Sequence, residues 1–437
     1  MTSPKHRYCL FFALGLAMLA PGAGRAEDEE NLAPYKMLRS LQFVQDSVVL
    51  GDHSAAEMQR FMLATIDNRF RTVDASVFDD SRNADAALIY AMSGGNPDTL
   101  EYLVSRDVDG HFDNRVSDIL RKYLSGKGLL VVKSLAETAG EYRDHKIGPY
   151  LDLVSGNVMI AKNPVEALKF YDWARLSAPG TIVEEAALRR SVAITTDAGM
   201  VDKGLGYAQR YARRFLHSPY ASQFADLFVK LVVEHYGDVK QEDVTNILSF
   251  MDEARRREVY LRIARSAAIL GKTDLAKLAA SRAQALSGEG DSAFGTLAGF
   301  YGSVANIPTS EVGAAAKSID SVSGDELSTR DQALRAAARA VADAVLRPPD
   351  PKSLAQGSTS NLANEANSPM PQNAETAESP PVGEASGTAA AEGERPGKTD
   401  EKSKGDGQDA DSSFNSFMTT SRSKLDAIDS LLKQESD

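Results

Sequence analysis

The chain has 437 residues, enough for two or three ordinary domains. Its composition, 43% hydrophobic but only 7% aromatic, is typical of a folded, water-soluble protein. The formal net charge of −12 predicts an acidic surface that repels phosphate backbones and anionic lipid headgroups, which argues against nucleic acid and membrane surfaces as partners.

Residues 1–26 have the pattern of a secretory signal peptide. A basic start precedes an apolar run at 9–20, which is too short to cross a bilayer comfortably, and a small-x-small cleavage signature ends at Ala26. We predict cleavage after Ala26, a periplasmic location and no membrane insertion of the mature chain; an uncleaved N-terminal anchor is the alternative. Cleavage would also remove Cys9, the single cysteine, and leave no thiol for disulfides or zinc-thiolate sites.

Helical periodicity dominates residues 27–346. Pro34 suits the first turn of a helix, because the backbone N–H that proline lacks would have no hydrogen-bond partner within the helix at that position. Three further starts resemble capping boxes, in which a polar side chain accepts an amide hydrogen and a glutamate three residues later reaches back. They are Ser54 with Glu57, Asn163 with Glu166, and Thr181 with Glu184.

Breaks in this pattern recur at intervals of about 31 to 39 residues, the helix–turn–helix period of a solenoid. The turn-like sites lie near Pro97, Gly128, Pro164, Asp202, Gln241 and Thr273. Two stretches match the tetratricopeptide pattern at inward positions, namely Leu151, Val154, Val158, Ala167, Tyr171 and Ala174, and then Tyr260, Ile263, Ala264, Ala267, Ala276, Ala280 and Ala283. We therefore predict an all-α fold, a tetratricopeptide-like solenoid over 27–346; an irregular helical array is the alternative.

The composition changes at residue 347. Residues 347–411 are rich in Pro, Ala, Ser and Glu and predict a disordered linker, since they offer too little apolar surface to offset chain entropy. Residues 412–437 predict an amphipathic helix that either caps the solenoid or docks on a partner. Its apolar stripe consists of Phe414, Phe417, Met418, Leu425, Ile428 and Leu432.

Recognisable catalytic, cofactor-binding and metal-binding motifs are missing from the sequence. The five histidines after Ala26 include no pair at the i, i+4 spacing of a helical metal site, and Gly-x-Ser-x-Gly is absent. We therefore predict no enzyme, no cofactor and no metal. A peptidoglycan-acting lytic enzyme would need a further aromatic-lined domain, and Trp173 is the single tryptophan.

Arginines cluster at four places within the helices, at 189–190, 210, 213–214 and 255–257. The simpler interpretation is a solvated surface on which these arginines pair with nearby glutamates. The functional interpretation is a basic stripe that meets an acidic partner.

Two blocks resemble the MotC family of motility proteins from rhizobium-like alphaproteobacteria. They are PYKMLRSLQ at 34–42, with similarity continuing to Gly51-Asp52-His53, and NPVEALKFY at 163–171. The resemblance covers roughly 27–345 and implies a periplasmic protein that is required for flagellar rotation. It also implies binding to the periplasmic part of the stator protein MotB, with no catalytic residues to carry over. A general periplasmic adaptor in envelope or polysaccharide export is the alternative function.

Overall fold

The computed structural model describes residues 32–288 and 292–348. These described residues form 17 α-helices and three short 3₁₀ turns, and none of them lies in a strand. Met1–Leu346 make up one unit and Arg347–Asp437 a second, which apart from its first two residues falls outside the described ranges. The prediction of an all-helical fold is confirmed for the described part.

The first nine helices run from Pro34 to Asp197. They are α1 Pro34–Val49, α2 Ala55–Thr72, α3 Ser81–Met92, α4 Pro97–Ser105, α5 Asn114–Leu124, α6 Val132–Glu141, α7 Gly148–Met159, α8 Pro164–Ser177 and α9 Ile182–Asp197. Two 3₁₀ turns, Ala75–Asp79 and Gly128–Val131, lie among them.

The next eight helices run from Val201 to Leu346. They are α10 Val201–Arg214, α11 Ala221–Glu234, α12 Gln241–Leu248, α13 Glu253–Ile269, α14 Thr273–Ala285, α15 Ser292–Asn306, α16 Val312–Ser321 and α17 Thr329–Leu346, with a third 3₁₀ turn at Gly324–Glu326.

From α7 onward the odd-numbered helices form a row, in which α7, α9, α11 and α13 each contact the next odd-numbered helix, up to α15. Even-numbered helices pack beside this row, α8 on α7, α10 on α9, α14 on α13 and α16 on α15. Four of the predicted breaks, Pro97, Pro164, Gln241 and Thr273, are each the first residue of a helix. The predicted inward residues of both tetratricopeptide-like stretches are buried, which places them in the core.

The contact between α7 and α8 depends on a glycine. A Cβ atom on Gly156 would lie 2.6 Å from the ring of Tyr171. Tyr171 is fully buried, and its hydroxyl donates a hydrogen bond of 2.9 Å to the side chain of Asn157. Since a close-packed interior has no room to shift such a ring, any larger residue at 156 would separate the two helices.

The N-terminal helix α1 packs on α2 and α3 and also contacts α7 and α9. Gln42 donates a 2.8 Å hydrogen bond to the Tyr150 hydroxyl of α7, and the Ile182 amide of α9 donates one of 2.9 Å to the Asp46 carboxylate. Leu41 is fully buried on the side of α1 that faces the core. These hydrogen bonds, between residues more than a hundred positions apart, therefore fix α1 to α7 and α9.

The three predicted capping boxes have different outcomes. At α8 the prediction is confirmed, because the side-chain oxygen of Asn163 accepts the Glu166 amide at 3.1 Å. At α9 it is wrong, because the Thr181 hydroxyl caps no helix amide and instead donates to the Ala178 carbonyl at 2.6 Å. At α2 it is also wrong, because the Ser54 hydroxyl caps no helix amide and instead donates to Asp52 at 2.5 Å. The Asp52 carboxylate two residues upstream competes successfully for that hydroxyl.

Three predicted segments lie outside the described residues. They are the signal peptide 1–26, the linker 347–411 (apart from Arg347 and Pro348) and the amphipathic helix 412–437. No helix in the described ranges is long and apolar enough to span a bilayer.

Candidate interaction surfaces

Within the described ranges, no three His, Cys, Asp or Glu side chains lie together in a group that could hold a metal ion. The features that remain as candidates for function are charged and apolar surfaces.

The arginine at 189 lies in a buried ion pair. Its guanidinium is 2.9 Å from the carboxylate of Glu185, which is fully buried, and the Tyr211 hydroxyl donates to the same carboxylate at 2.9 Å. Burial opposes the charge on Arg189, but the nearby carboxylate outweighs it and keeps the pKa of the guanidinium above its ordinary value. This arginine is therefore part of the core.

Most of the other clustered arginines also have partners within the protein. Arg214 pairs with Glu184, Arg255 with Asp252 and Arg256 with Glu253, while Arg213 lies over the ring of Phe250 and Arg257 over that of Phe294. Arg210 donates to a backbone carbonyl of its own helix. Of the two interpretations, the structure favours arginines paired with nearby acidic groups over a free basic stripe.

Polar contacts link α9 to α11, α11 to α13, and α13 to α17. We call them the polar ladder, which consists of Arg189–Gln223, Asp197–Lys230, Asp226–Arg262 and Arg265–Asp331. A hydrogen bond from Lys230 to Asp197 raises the pKa of the lysine. The exposed ion pairs of the polar ladder, Asp197–Lys230 and Asp226–Arg262, each contribute little stability.

The outer side of α1 differs from the polar ladder. Lys36, Arg39 and Phe43 lie there at spacings of three and four residues, with Ser40 and Val44 between them around a shallow depression of about 390 Å³. Neither cation has an ion-pair partner among the described residues. We call Lys36, Arg39 and Phe43 the first-helix face.

The hairpin of α1 and α2 carries four exposed large apolar side chains. Phe43 is 73% exposed, the highest value of any aromatic residue in the described ranges, and Phe61 on α2 is 65% exposed. Leu50 and Met58 are each about half exposed. An uncovered group of large apolar side chains is a feature of interaction sites.

A buried carboxyl group lies in α7. Asp152 is fully buried, and neither of its oxygens has a hydrogen-bond partner in the described structure. Burial raises the pKa of Asp152 to about 7, against a smaller opposing effect of the Arg143 charge. The Arg143 guanidinium lies 4.0 Å from the centre of the Trp173 ring. Its charge therefore acts on Asp152 without a direct ion pair between the two side chains.

A family model described as "Chemotaxis protein MotC" matches residues 1–437, the entire chain. The chain belongs to the MotC family. A protein of Rhizobium meliloti (strain 1021) named "Chemotaxis protein MotC" is 51% identical over 442 residues, which cover 98% of this chain and 99% of that protein. No solved structure matches the chain. MotC membership confirms the resemblance seen in residues 34–42 and 163–171 and supports a motility-related role.

The site residues predicted from the sequence do not include those of the first-helix face. The predicted cleavage site Ala26 and the predicted docking or capping stripe are outside the described residues, and so stay predictions. That stripe comprises Phe414, Phe417, Met418, Leu425, Ile428 and Leu432. The sequence-based prediction missed the first-helix face because it considered only the apolar side of α1. Phe43, an aromatic residue on the polar side of this helix, is the sequence feature that could have indicated the face.

Proposed function

We propose that the protein is a non-enzymatic periplasmic accessory of the flagellar motor. In this role it binds the periplasmic part of a MotB-like stator protein and supports assembly or function of the stator, so that the flagellum can rotate. Family membership over the entire chain is the observation that carries the proposal. The signal-peptide pattern at 1–26 supports the periplasmic location.

The fold supports a binding role. Paired helices in rows, which we propose to be tetratricopeptide-like, present broad surfaces that are characteristic of helical-repeat adaptors. The buried alanines at 167 and 174, at 264 and 267, and at 276, 280 and 283 allow the close helix packing that such stacks need.

Direct binding tests the proposal. The mature chain, residues 27–437, is expected to bind the purified periplasmic part of the organism's MotB-like stator protein with a Kd of about 1 µM or below, measured by biolayer interferometry. An unrelated periplasmic domain of similar size and charge serves as the control. No saturable binding at concentrations one hundred times higher would contradict the proposal.

A further inference from the structure

The first-helix face is held in a fixed position while remaining open to solvent. The opposite side of α1 is anchored by Leu38, Leu41 and Val48, which are at most 5% exposed, and by the hydrogen bonds of Gln42 and Asp46 to α7 and α9. A ligand on this face would meet a preformed helix, so little ordering of the protein would be needed on binding.

The charges on this face differ from those of the arginine clusters, whose members are mostly paired with carboxylates or stacked on rings. Lys36 and Arg39 lie about one helical turn apart and have no carboxylate partner in the described structure. The neighbouring hydroxyls of Ser40 and Ser47 donate to carbonyls of α1 itself, at 3.4 and 2.9 Å.

Phe43 adds an apolar anchor one turn beyond Arg39. A largely exposed phenylalanine gains free energy when a partner removes it from water, and adjacent cations add electrostatic selection of that partner. The combination fits a ligand with acidic groups at one end and an apolar side chain about one turn away. An acidic amphipathic helix has this arrangement.

We propose that the first-helix face binds an acidic amphipathic helical segment in the periplasmic part of the stator partner. Carboxylates of that segment pair with Lys36 and Arg39, and an apolar side chain covers Phe43. The inference rests on the proposed function and gives it a contact surface. A second copy of the chain fits less well, because a symmetric contact through this face would place like charges opposite each other.

Binding by matched variants of the mature chain tests the inference against the same stator domain. Lys36→Glu with Arg39→Glu, and separately Phe43→Ala, are each expected to raise the Kd at least tenfold. Controls are Lys203→Glu with Lys317→Glu, which reverse two exposed lysines on α10 and α16, and Leu130→Ala, which truncates a largely exposed apolar side chain in the 3₁₀ turn before α6; these are expected to leave the Kd unchanged. Helix content by circular dichroism and the Tm establish that every variant is folded.

Salt provides an independent readout. The wild-type Kd is expected to rise as the NaCl concentration increases from about 50 to 500 mM, because salt screens the attraction between unlike charges. The Kd of the Lys36→Gln, Arg39→Gln double variant should rise less with salt, because this variant lacks two of the charges that are screened.

The possible failures are distinguishable. If the wild-type chain binds and both face variants keep the wild-type Kd, the inference is overturned while the proposed function stands. If the wild-type chain does not bind at all, the proposed function falls and the inference falls with it. If ultracentrifugation shows a wild-type dimer that both face variants dissociate, the face joins two copies and the inference is overturned.

Discussion

Replacing Arg189 with leucine is expected to lower the free energy of unfolding by about 3–5 kcal/mol, because it leaves a buried carboxylate without its cation. Glu185 is fully buried, and in the variant only the Tyr211 hydroxyl would remain to compensate its charge. Urea denaturation followed by circular dichroism at 222 nm measures the difference.

Two controls isolate the lost ion pair. Arg190→Leu makes the same chemical change one residue away, at an arginine with no ion pair in the described structure, and is expected to cost far less. The double variant Glu185→Leu with Arg189→Leu is expected to recover much of the loss, because no uncompensated charge remains. Equal losses for Arg189→Leu and Arg190→Leu would contradict a buried pair.

Replacing Asp152 with asparagine is expected to make the protein more stable than wild type above neutral pH. The folded pKa of about 7 exceeds the unfolded value of about 3.9, so the folded state binds more protons over the interval between them. The contribution of Asp152 to stability is therefore fully present below about pH 4 and is lost as the pH rises to 7. The difference of about 3 pKa units corresponds to at most about 4 kcal/mol.

The measurement compares wild type and Asp152→Asn across pH rather than following either alone, because other carboxyls have lowered pKa values that act in the opposite direction. Hydrogen bonds from Ser328, Arg265 and Tyr301 outweigh burial at Asp331, for example, and lower its pKa. The advantage of the variant should grow from pH 4 to pH 7.5, and Asp144→Asn provides the same substitution at an exposed site. If the difference in free energy of unfolding between Asp152→Asn and wild type stays constant across this range, Asp152 does not have a pKa that is raised by burial.

Local signals in the sequence were enough to predict much of the helical array. Apolar and small residues at helical spacing, such as Tyr171 and Ala174, are buried as predicted, and Pro164 begins α8. Such features depend on residues within one or two turns of each other. The cap at Ser54 failed although its pattern was correct, because Asp52 lay within reach of the hydroxyl and the pattern takes no account of such a competitor.

The interaction surfaces depend on contacts that no local pattern encodes. Gln42 and Asp46 hold α1 against α7 and α9 by hydrogen bonds to residues more than a hundred positions away in the sequence. The arginine clusters looked alike in the sequence, yet tertiary packing buried Arg189 against Glu185 and left Arg190 unpaired in the described structure. Which cations are free to bind a partner is therefore decided by the fold.

The swimming behaviour of a deletion strain tests the central claim most directly. Cells that lack the gene are expected to assemble flagella, visible by electron microscopy, but to form no spreading ring in soft agar, with swimming restored by the gene on a plasmid. Deletion cells that carry flagella and swim at wild-type speed would contradict a role in flagellar rotation.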